Sequence, residues 1–370
     1  MNFWQQLRKT KKPFFALAPM ADVTDAAFRR IIAKYGKPDV TWTEFVSADG
    51  LCHPKGREKL LKDLEYSETE RPIVAQLFSS RPENMRAAAQ LCAELGFDGI
   101  DINMGCPDRT IEKQGCGAAM MKDPENAVAV IRAAKQGIMD SGRDIPLSVK
   151  TRVGYNRDEI DTWIPTLLRE NIAALTLHAR TRKELSEVPA DWSRIARVVK
   201  LRDTIAPDTV ILGNGDVQHL ADGREKAKQT GCDGIMIGRA IFGNPWLFAD
   251  QNIRTKNQEP NDDASSSGFG SWKFGSWFLN LFIRDSYVTK KRYWLKNPAN
   301  VPVAEKLRVM IEHTELFMEL LGGHKNFAVM KKHYKAYATG FPGAKELRVQ
   351  LMESKGLDEV RMIVAEFLGK

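Results

Sequence analysis

GIDINMGCP, at residues 99–107, is a short apolar run with β-branched residues that ends at a glycine, a cysteine and a proline. Seven similar runs occur in the first 240 residues, and a stretch of helical character follows each one. Their starts lie 25–47 residues apart, which is enough for a strand, a loop and a crossover helix. Eight such units predict an α/β protein with a (β/α)8 TIM barrel rather than an open sheet. The eight predicted strands are FFALAPM (14–20), VTWTEF (40–45), PIVAQLF (72–78), GIDINMG (99–105), PLSVKTR (146–152), ALTLHAR (174–180), TVILGNG (209–215) and GIMIGRA (234–240).

The predicted strands end in polar side chains, reactive side chains or glycines. In a parallel barrel the carboxyl ends of all the strands face the same rim, where active sites are built. A capping or turn role is the simpler alternative for any one of these residues, but eight occurrences at the same place favour a site. The residues concerned are Met20, Ala21, Asp22, Glu44, Gln76, Asn103, Lys150, His178, Asn214, Gly215, Gly238 and Arg239.

The composition is that of a globular protein, with 370 residues, 43% of them hydrophobic and 28% charged. No apolar run reaches the roughly 18–20 residues that a membrane helix needs. The five cysteines form no CxxC pair, and there is no HExxH motif, so we expect no structural zinc site. The short apolar run near the N-terminus has no small-residue cleavage site. We therefore expect a soluble, cytoplasmic, monomeric protein with no metal and no membrane partner.

The pattern changes after Asn244-Pro245-Trp246. Residues 254–276 are rich in Asp, Ser and Gly and lack any periodicity, which predicts a linker or mobile loop. From about residue 277 the apolar residues recur at helical spacing, and Gly322, Gly323 and Gly340 are predicted helix ends. The sequence thus predicts a barrel at 1–253, a linker at 254–276 and a small all-helical domain at 277–370.

The excess positive charge lies near the C-terminus. Residues 281–370 carry 16 Lys and Arg against 10 Asp and Glu, whereas residues 1–250 carry 36 against 34. A basic appendage on a near-neutral body indicates a polyanionic partner. A solvated helical face explains the charge equally well, so both interpretations stay open on charge alone.

Two groups of residues carry the chemistry. Cys106 directly follows a predicted strand, so its thiol would be exposed at the rim as a proton donor or a nucleophile, whereas Cys116 is expected to pack in a tight turn. The glycines after the last two strands would let backbone N–H groups approach a phosphate, with Arg239 as a charged contact. Lys150 could neutralise a negatively charged ring. Neither GxGxxG nor GxxxxGK[ST] is present.

Blocks spanning residues 19–248 resemble the tRNA-dihydrouridine synthase family, and they occur in the family's order. They are LAPMADVTDAAFRR, AQLFSSRPENM, DINMGCPDRTIEKQGCGAAMMKDP, VKTRVGYN, LHARTR, NGDV and GRAIFGNPWLF. The tail, with AEKLRVMIEHTELFMELLGG and FAVMKKHYKAYATGFPGAKELR, is similar to the family's helical RNA-binding domain. The resemblance implies that FMN and NADPH reduce the C5–C6 double bond of uridines in tRNA.

The resemblance also implies a role for individual residues. It implies that Cys106 is the general acid, that Lys150 lies near the N1/C2 side of the flavin, and that Asn103 holds the target uracil. The implied FMN contacts are Pro19, Met20, Ala21, Gln76, Lys150, His178, Asn214, Gly215, Asp216, Gly238 and Arg239. The implied tRNA contacts are Asn103, Arg180, Arg182, Lys331, Lys332 and His333.

The sequence departs from the family pattern in three places. Asp22 stands where the family more commonly has glycine, Glu184 and Ser186 replace its usual residues after HARTR, and the 254–276 stretch is an insertion.

Two rival functions remain at this point. One is a flavin-dependent barrel dehydrogenase for a free pyrimidine or another small molecule, which the basic tail disfavours. The other is a non-catalytic RNA-binding protein, which the intact Cys106, Lys150 and His178 disfavour.

Overall fold

A sheet of eight parallel strands forms the centre of the computed structural model, which describes residues 1–10, 13–249 and 301–369. Seven of the eight runs predicted from the sequence contain one of these strands, and β2 extends two residues beyond its predicted run, so the predicted barrel is confirmed. The predicted linker at 254–276 lies outside the described residues, as do residues 277–300 of the predicted helical domain. Strands β1 to β8 are Phe14–Leu17, Thr41–Ser47, Ile73–Phe78, Gly99–Met104, Leu147–Arg152, Ala174–His178, Val210–Asn214 and Gly234–Ile237.

The sheet closes on itself between its first and second strands. Hydrogen-bonded neighbours run in the order β1, β8, β7, β6, β5, β4, β3, β2. An isolated parallel bridge between Ala16 and Val40 joins the two ends, and the Leu17 N–H donates to the Val40 carbonyl at 3.1 Å. Asp39 reinforces this seam, because its carboxylate accepts the Phe15 N–H at 2.8 Å. Closure leaves the parallel strands with all their carboxyl ends at one rim.

Helices cover the outside of the barrel. Helices α5 (Pro82–Glu94) and α7 (Pro124–Asp140) pack so closely that Gly137 of α7 is required, because an added Cβ would lie 2.0 Å from the Arg86 carbonyl oxygen. Helices α1 to α14 are Phe3–Thr10, Ala26–Tyr35, Ala48–Cys52, Pro54–Asp63, Pro82–Glu94, Arg109–Glu112, Pro124–Asp140, Ile160–Leu168, Ser193–Ile205, Leu220–Thr230, Val303–Leu321, Val329–Tyr337, Ala344–Glu353 and Leu357–Leu368. Within the described ranges, no helix is both long enough and apolar enough to cross a bilayer.

Aromatic side chains close the amino-terminal end of the barrel. Trp4 of α1 is fully buried, with its ring centroid 5.5 Å from that of Trp42 and 5.9 Å from that of Phe14. These rings pack with Val74, Val210 and other strand residues into one interior cluster. The floor of the barrel is therefore filled, and the polar strand ends face the opposite side.

Helices α11 to α14 pack together and against α2 of the barrel. Their shared apolar core includes Ala27, Ile31 and Tyr35 of α2. The Tyr35 hydroxyl donates to Glu312 at 2.6 Å and accepts from Arg308 at 2.8 Å. The predicted all-helical region is confirmed over 303–368, and α14 is a further helix that was not delimited from the sequence.

Two buried histidines lie where these C-terminal helices meet the barrel. The ring centroids of His313 and His333 are 4.7 Å apart, and both rings pack against Phe28 of α2. Within the described part of the chain, neither ring nitrogen of His313 has a hydrogen-bond partner, and the same is true of His333 Nε2. Burial lowers the pKa of His313 to about 3 and that of His333 well below the usual 6.5, so both rings are neutral at pH 7.

Acid should destabilise the protein through this pair. A histidine whose pKa is depressed in the folded state contributes stability above its unfolded pKa of about 6.5, and that stability is lost as the pH falls toward the folded value. For His313 alone we expect the free energy of unfolding to fall by about 1.4 kcal/mol per pH unit below pH 6. Urea denaturation from pH 7 to pH 4 measures the slope, which His313→Leu should flatten.

The exposed His53 provides the control for that experiment. His53→Gln should leave the dependence of the unfolding free energy on pH unchanged. The same slope in His313→Leu and in the parent protein would show that His313 does not carry the acid sensitivity.

Candidate active site at the carboxyl rim of the barrel

The strand register brings the predicted polar residues together at one rim. Asn103 of β4 pairs with Lys150 of β5, and His178 of β6 pairs with Asn214 of β7. The Asn214 side chain donates to the Met236 carbonyl on β8 at 2.8 Å. These side chains therefore line one surface, as the positions of the strand ends in the sequence predicted.

Cys106 lies in a turn that backbone contacts hold firmly. Its N–H donates to Asn103 Oδ1 at 2.9 Å, and its carbonyl accepts the Ala118 N–H at 2.9 Å. Gly117 has φ +62°, and a Cβ there would lie 2.7 Å from the Cys106 carbonyl oxygen, so glycine is required. Cys116 packs nearby as a buried core residue, as predicted.

The Cys106 thiol keeps its proton at neutral pH. Desolvation by the surrounding turn raises its pKa above the ordinary value near 9, and this effect outweighs the nearby charges of Lys150 and Arg152, which lower it. A thiol in this state is a proton donor rather than a thiolate nucleophile. Of the two roles that the sequence left open for Cys106, the environment favours the acid.

Several cations give the rim a positive potential between β5 and β8. Burial, followed by the charge of Arg152, lowers the pKa of Lys150 to about 8. Burial also lowers the pKa of His178 well below 6.5, and the charges of Arg152, Lys150, Arg180 and Arg239 lower it further. A neutral imidazole among four cations marks a place suited to an anionic ligand.

Asp216 holds two arginines at the ends of β6 and β8. Its carboxylate pairs with Arg180 and accepts from Arg239 at 2.6 Å. Asp216 has φ +51°, a left-handed conformation that aspartate tolerates better than most residues, and it follows Gly215 at φ +130°. The Asp216 carboxylate thus orients Arg239, and the implied role of Asp216 as an FMN contact stays a prediction.

Two predicted tRNA contacts lie away from the surface. The Arg180 side chain is 2% exposed, and it donates to the Val188 carbonyl at 2.6 Å besides pairing with Asp216. His333 is 1% exposed in the core described above. A buried side chain cannot meet RNA without a rearrangement, so the structure corrects both assignments. Arg182 pairs through its guanidinium with Glu112 and remains 25% exposed.

The loop after β1 depends on Glu44 for its conformation. Asp22, which stands where a glycine was expected, has φ +53°, in the left-handed region that glycine favours. Its N–H donates to Glu44 Oε1 at 2.5 Å. Another departure from the family pattern, Glu184, closes its own loop by accepting the Thr181 N–H at 2.6 Å and pairing with Arg194 at 2.9 Å.

The C-terminal region reaches this same loop through Lys325, which no sequence motif singled out, and through Lys332. Lys325 Nζ lies 2.5 Å from Glu44 Oε2, 3.9 Å from Asp63 Oδ1 and 4.0 Å from Asp22 Oδ1. Lys332 of α12 lies 3.9 Å from Asp22 Oδ2. A cavity of about 290 Å³ opens at this joint, and its lining includes Ala21, Glu44 and Lys325. No local pattern announces a pair that is separated by 281 residues.

The fold and the rim together define an enzyme of the β/α-barrel class, with a protonated thiol and a cationic surface at the carboxyl ends of the strands. The chain belongs to the dihydrouridine synthase family, a family of oxidoreductases, because the family's sequence model, described as "Dihydrouridine synthase (Dus)", matches residues 16–270. The chain is 37% identical over 370 residues to "Probable tRNA-dihydrouridine synthase 2" of Bacillus subtilis (strain 168), covering 100% of this chain and 97% of that protein. It is 36% identical over 367 residues to "Probable tRNA-dihydrouridine synthase" of Staphylococcus aureus (strain COL), covering 99% and 95%.

The Lys325–Glu44 pair should contribute measurably to stability. Their side chains are only 12% and 8% exposed, so removing one charge leaves the other buried without its partner. We expect Lys325→Met and Glu44→Gln each to lower the free energy of unfolding by about 2–3 kcal/mol, and the double variant to lose less than the sum. Urea denaturation of the parent, the two single variants and the double variant gives the coupling energy between the two charges.

Lys332→Met is the matched control, since its side chain is 39% exposed and its ion pair with Asp22 is long. It should change the free energy of unfolding by less than about 0.5 kcal/mol. Additive losses in the Lys325→Met and Glu44→Gln cycle would show that the two charges do not stabilise each other.

Proposed function

We propose that this chain is a flavin-dependent tRNA-dihydrouridine synthase, which reduces the C5–C6 double bond of uridines in tRNA with FMN as cofactor and NADPH as hydride donor. Membership of the family and the names of the full-length relatives support the reaction and the substrate class. The observation that carries the mechanism is that the turn holding Cys106, where burial raises the pKa of the thiol, lies beside a cluster of cations.

The charges of the rim residues suit FMN, whose phosphate and reduced ring are anionic. Backbone at Gly215 and Gly238 would leave room for a phosphate, and Arg239 is 64% exposed beside them. Thr176 of β6 is the strand neighbour of Lys150. Its hydroxyl is buried and has no hydrogen-bond partner within the described residues. The residues that would hold FMN are Pro19, Met20, Ala21, Gln76, Lys150, His178, Asn214, Gly215, Gly238 and Arg239, with Asp216 behind Arg239.

FMN, once reduced by NADPH, supplies the hydride that C6 of the uracil receives. The part of this chain is to deliver the matching proton, which Cys106 Sγ–H gives to C5. Lys150, which pairs with Asn103 on the neighbouring strand, would act as the counter-charge for an electron-rich ring, and Asn103 holds the turn that carries the thiol. The uridine must leave its stack to reach the rim, at a cost of a few kcal/mol.

The position of the C-terminal helices favours a nucleic-acid substrate over a free pyrimidine. Helix α12 presents Lys331, Lys332 and Lys335 on the face opposite its buried residues, and Lys332 approaches the β1 loop at the rim. The charge balance alone is a weaker argument. Residues 301–369 carry 10 Lys and Arg against 9 Asp and Glu, and most of the surplus falls in residues 281–300, outside the described ranges.

The proposal extends to the organisation of the chain. A catalytic barrel at 1–253 would work with a helical tRNA-binding domain at 277–370, joined by residues 254–276. Since its substrate would be tRNA, we place the protein in the cytoplasm and expect it to act as a monomer. The proposed tRNA contacts are Asn103, Arg182, Lys331, Lys332 and Lys335.

Replacing Cys106 tests the proposed function directly. The purified protein should bind FMN, be reduced by NADPH and form dihydrouridine in unmodified tRNA. Cys106→Ala should keep FMN binding and reduction by NADPH but lose dihydrouridine formation by about 10²–10⁴-fold, because the general acid is gone. Flavin absorbance and mass spectrometry of the tRNA nucleosides measure the two steps separately.

Cys52 is the matched control, since its thiol is exposed and lies against the Asn84 carbonyl of α5. Cys52→Ala should form dihydrouridine at the parent rate. A Cys106→Ala enzyme as active as the parent would remove Cys106 from the mechanism, and a protein that cannot be reconstituted with FMN would refute the flavin assignment.

The basic face of α12 should set the salt dependence of tRNA binding. Replacing Lys331, Lys332 and Lys335 with Gln removes up to three ion pairs with RNA phosphates. The slope of log K against log[salt] should shrink by about 0.7–0.9 for each phosphate that is no longer neutralised. Filter binding over a salt series measures it, while flavin reduction by NADPH should stay constant.

Lysines on other parts of the C-terminal region serve as controls for charge alone. Lys345→Gln with Lys355→Gln removes two exposed positive charges outside α12. This variant should keep the parent slope. If the α12 triple variant also keeps the parent slope, its lysines do not contact RNA.

A further inference from the structure

Four buried polar side chains form one hydrogen-bond chain that ends on the backbone of Cys106. Ser148 Oγ–H donates to Asp101 Oδ1 at 2.6 Å, and Gln76 Nε2–H donates to Asp101 Oδ2 at 2.6 Å. Asn103 Nδ2–H donates to Gln76 Oε1 at 3.1 Å, and Asn103 Oδ1 accepts the Cys106 N–H at 2.9 Å. The side chains come from β3, β4 and β5 and are at most 7% exposed.

The strand register explains why these groups meet inside the barrel. Asp101 pairs with Gln76 on one side and with Ser148 on the other. Asn103 lies two residues beyond Asp101 on the same strand, so both side chains face the interior, while Ile100 and Ile102 face the helices. The hydrogen bonds thus link Asp101, inside the barrel, to the turn at the rim that carries Cys106.

The direction of this hydrogen-bond chain is determined at its two ends. A carboxylate only accepts hydrogen bonds, and a backbone N–H only donates them. Gln76 must therefore turn its nitrogen to Asp101 and its oxygen to Asn103, and Asn103 must turn its oxygen to Cys106. Rotating either amide would bring two donors or two acceptors face to face in a buried place, which costs free energy.

Asp101 is the acceptor that sets the direction of these hydrogen bonds. Burial raises its pKa to about 6, while its hydrogen bonds from Ser148 and Gln76 and the charge of Lys150 lower it. The carboxylate is therefore mainly ionised at pH 7, and both its oxygens are used in the chain. Nothing in the proposed reaction requires Asp101 to touch a substrate.

We propose that Asp101 is a positioning residue for Cys106: by fixing the orientation of the Gln76 and Asn103 amides, it places an acceptor under the Cys106 backbone and so holds the thiol at the rim. The inference rests on the proposed function only for the use made of that thiol. The placement itself can be measured without tRNA, FMN reduction or dihydrouridine.

The test is the rate at which iodoacetamide alkylates Cys106 in the full-length protein, followed by peptide mass spectrometry over a pH series. Cys52, which is exposed, supplies the reference rate within each sample. Asp101→Asn should keep the direction of the chain, because its oxygen can face Gln76 while its nitrogen donates to the Ser148 hydroxyl. Asp101→Leu removes the acceptor and should change the Cys106 rate about tenfold, as expected when one hydrogen bond is removed.

A reversal of the chain distinguishes this role from simple packing. Asn103→Asp alone brings two acceptors together at Gln76 and should change the Cys106 rate about tenfold. Adding Asp101→Asn lets every hydrogen bond between positions 101 and 103 run in the opposite direction, with position 103 still accepting from Cys106. This double variant should recover the rate of Asp101→Asn to within about threefold, apart from any shift in the pH midpoint caused by the new charge.

The combination of Asp101→Leu with Asn103→Asp controls for the removal of one of two neighbouring carboxylates. This double variant lacks the carboxylate at position 101, but its leucine cannot donate a hydrogen bond to Gln76. It should therefore not recover the alkylation rate of Cys106. Equal recovery in the two double variants would show that only charge repulsion matters and would overturn the proposal. Unchanged Cys106 rates in Asp101→Leu and Asn103→Asp would overturn it as well. Absence of dihydrouridine formation with normal Cys106 rates in the parent would instead count against the proposed function.

Discussion

Closure of a parallel sheet is the constraint on which the whole rim depends. The Leu17 N–H to Val40 carbonyl bond joins the two end strands, and Asp39 completes the seam with its side chain. Once the barrel is closed, strands separated by many residues along the chain present their ends at one level. Residues such as Lys150 and His178 then share one environment because backbone hydrogen bonds fix their heights, and no direct bond between them is needed.

Partial burial is the second determinant of the site, and it acts in opposite directions on different groups. Burial destabilises the charged form of an ionisable group. It therefore raises the pKa of the Cys106 thiol and lowers the pKa of Lys150 to about 8. Cations close to a thiol would by themselves favour the thiolate. The structure resolves this competition in favour of desolvation, and a proton donor therefore survives next to positive charge.

The sequence predicts the strands and the rim well because both follow from short-range patterns. A strand formed within or overlapping each predicted run, and the strand ends meet at one rim; the roles of the residues there stay predictions. For His333 the prediction of a tRNA contact was wrong, although helical spacing carried the signal, since Met330, Tyr334 and Tyr337 place it on the apolar face of α12. The Lys325–Glu44 pair was not readable, because it depends on how two distant elements meet. The roles of Asp101 and Asp216 likewise needed the register and loop geometry of the folded barrel.

The aromatic floor under the barrel has a kinetic consequence. With Trp4, Phe14 and Trp42 packed across one end, molecules reach the site from the opposite mouth. In the proposed reaction the nicotinamide donor and the RNA base would both enter by that mouth. That reaction would therefore require the two to occupy the site in turn, with the oxidised donor leaving before the nucleic acid binds. Alternating occupancy of this kind would give parallel lines in double-reciprocal plots.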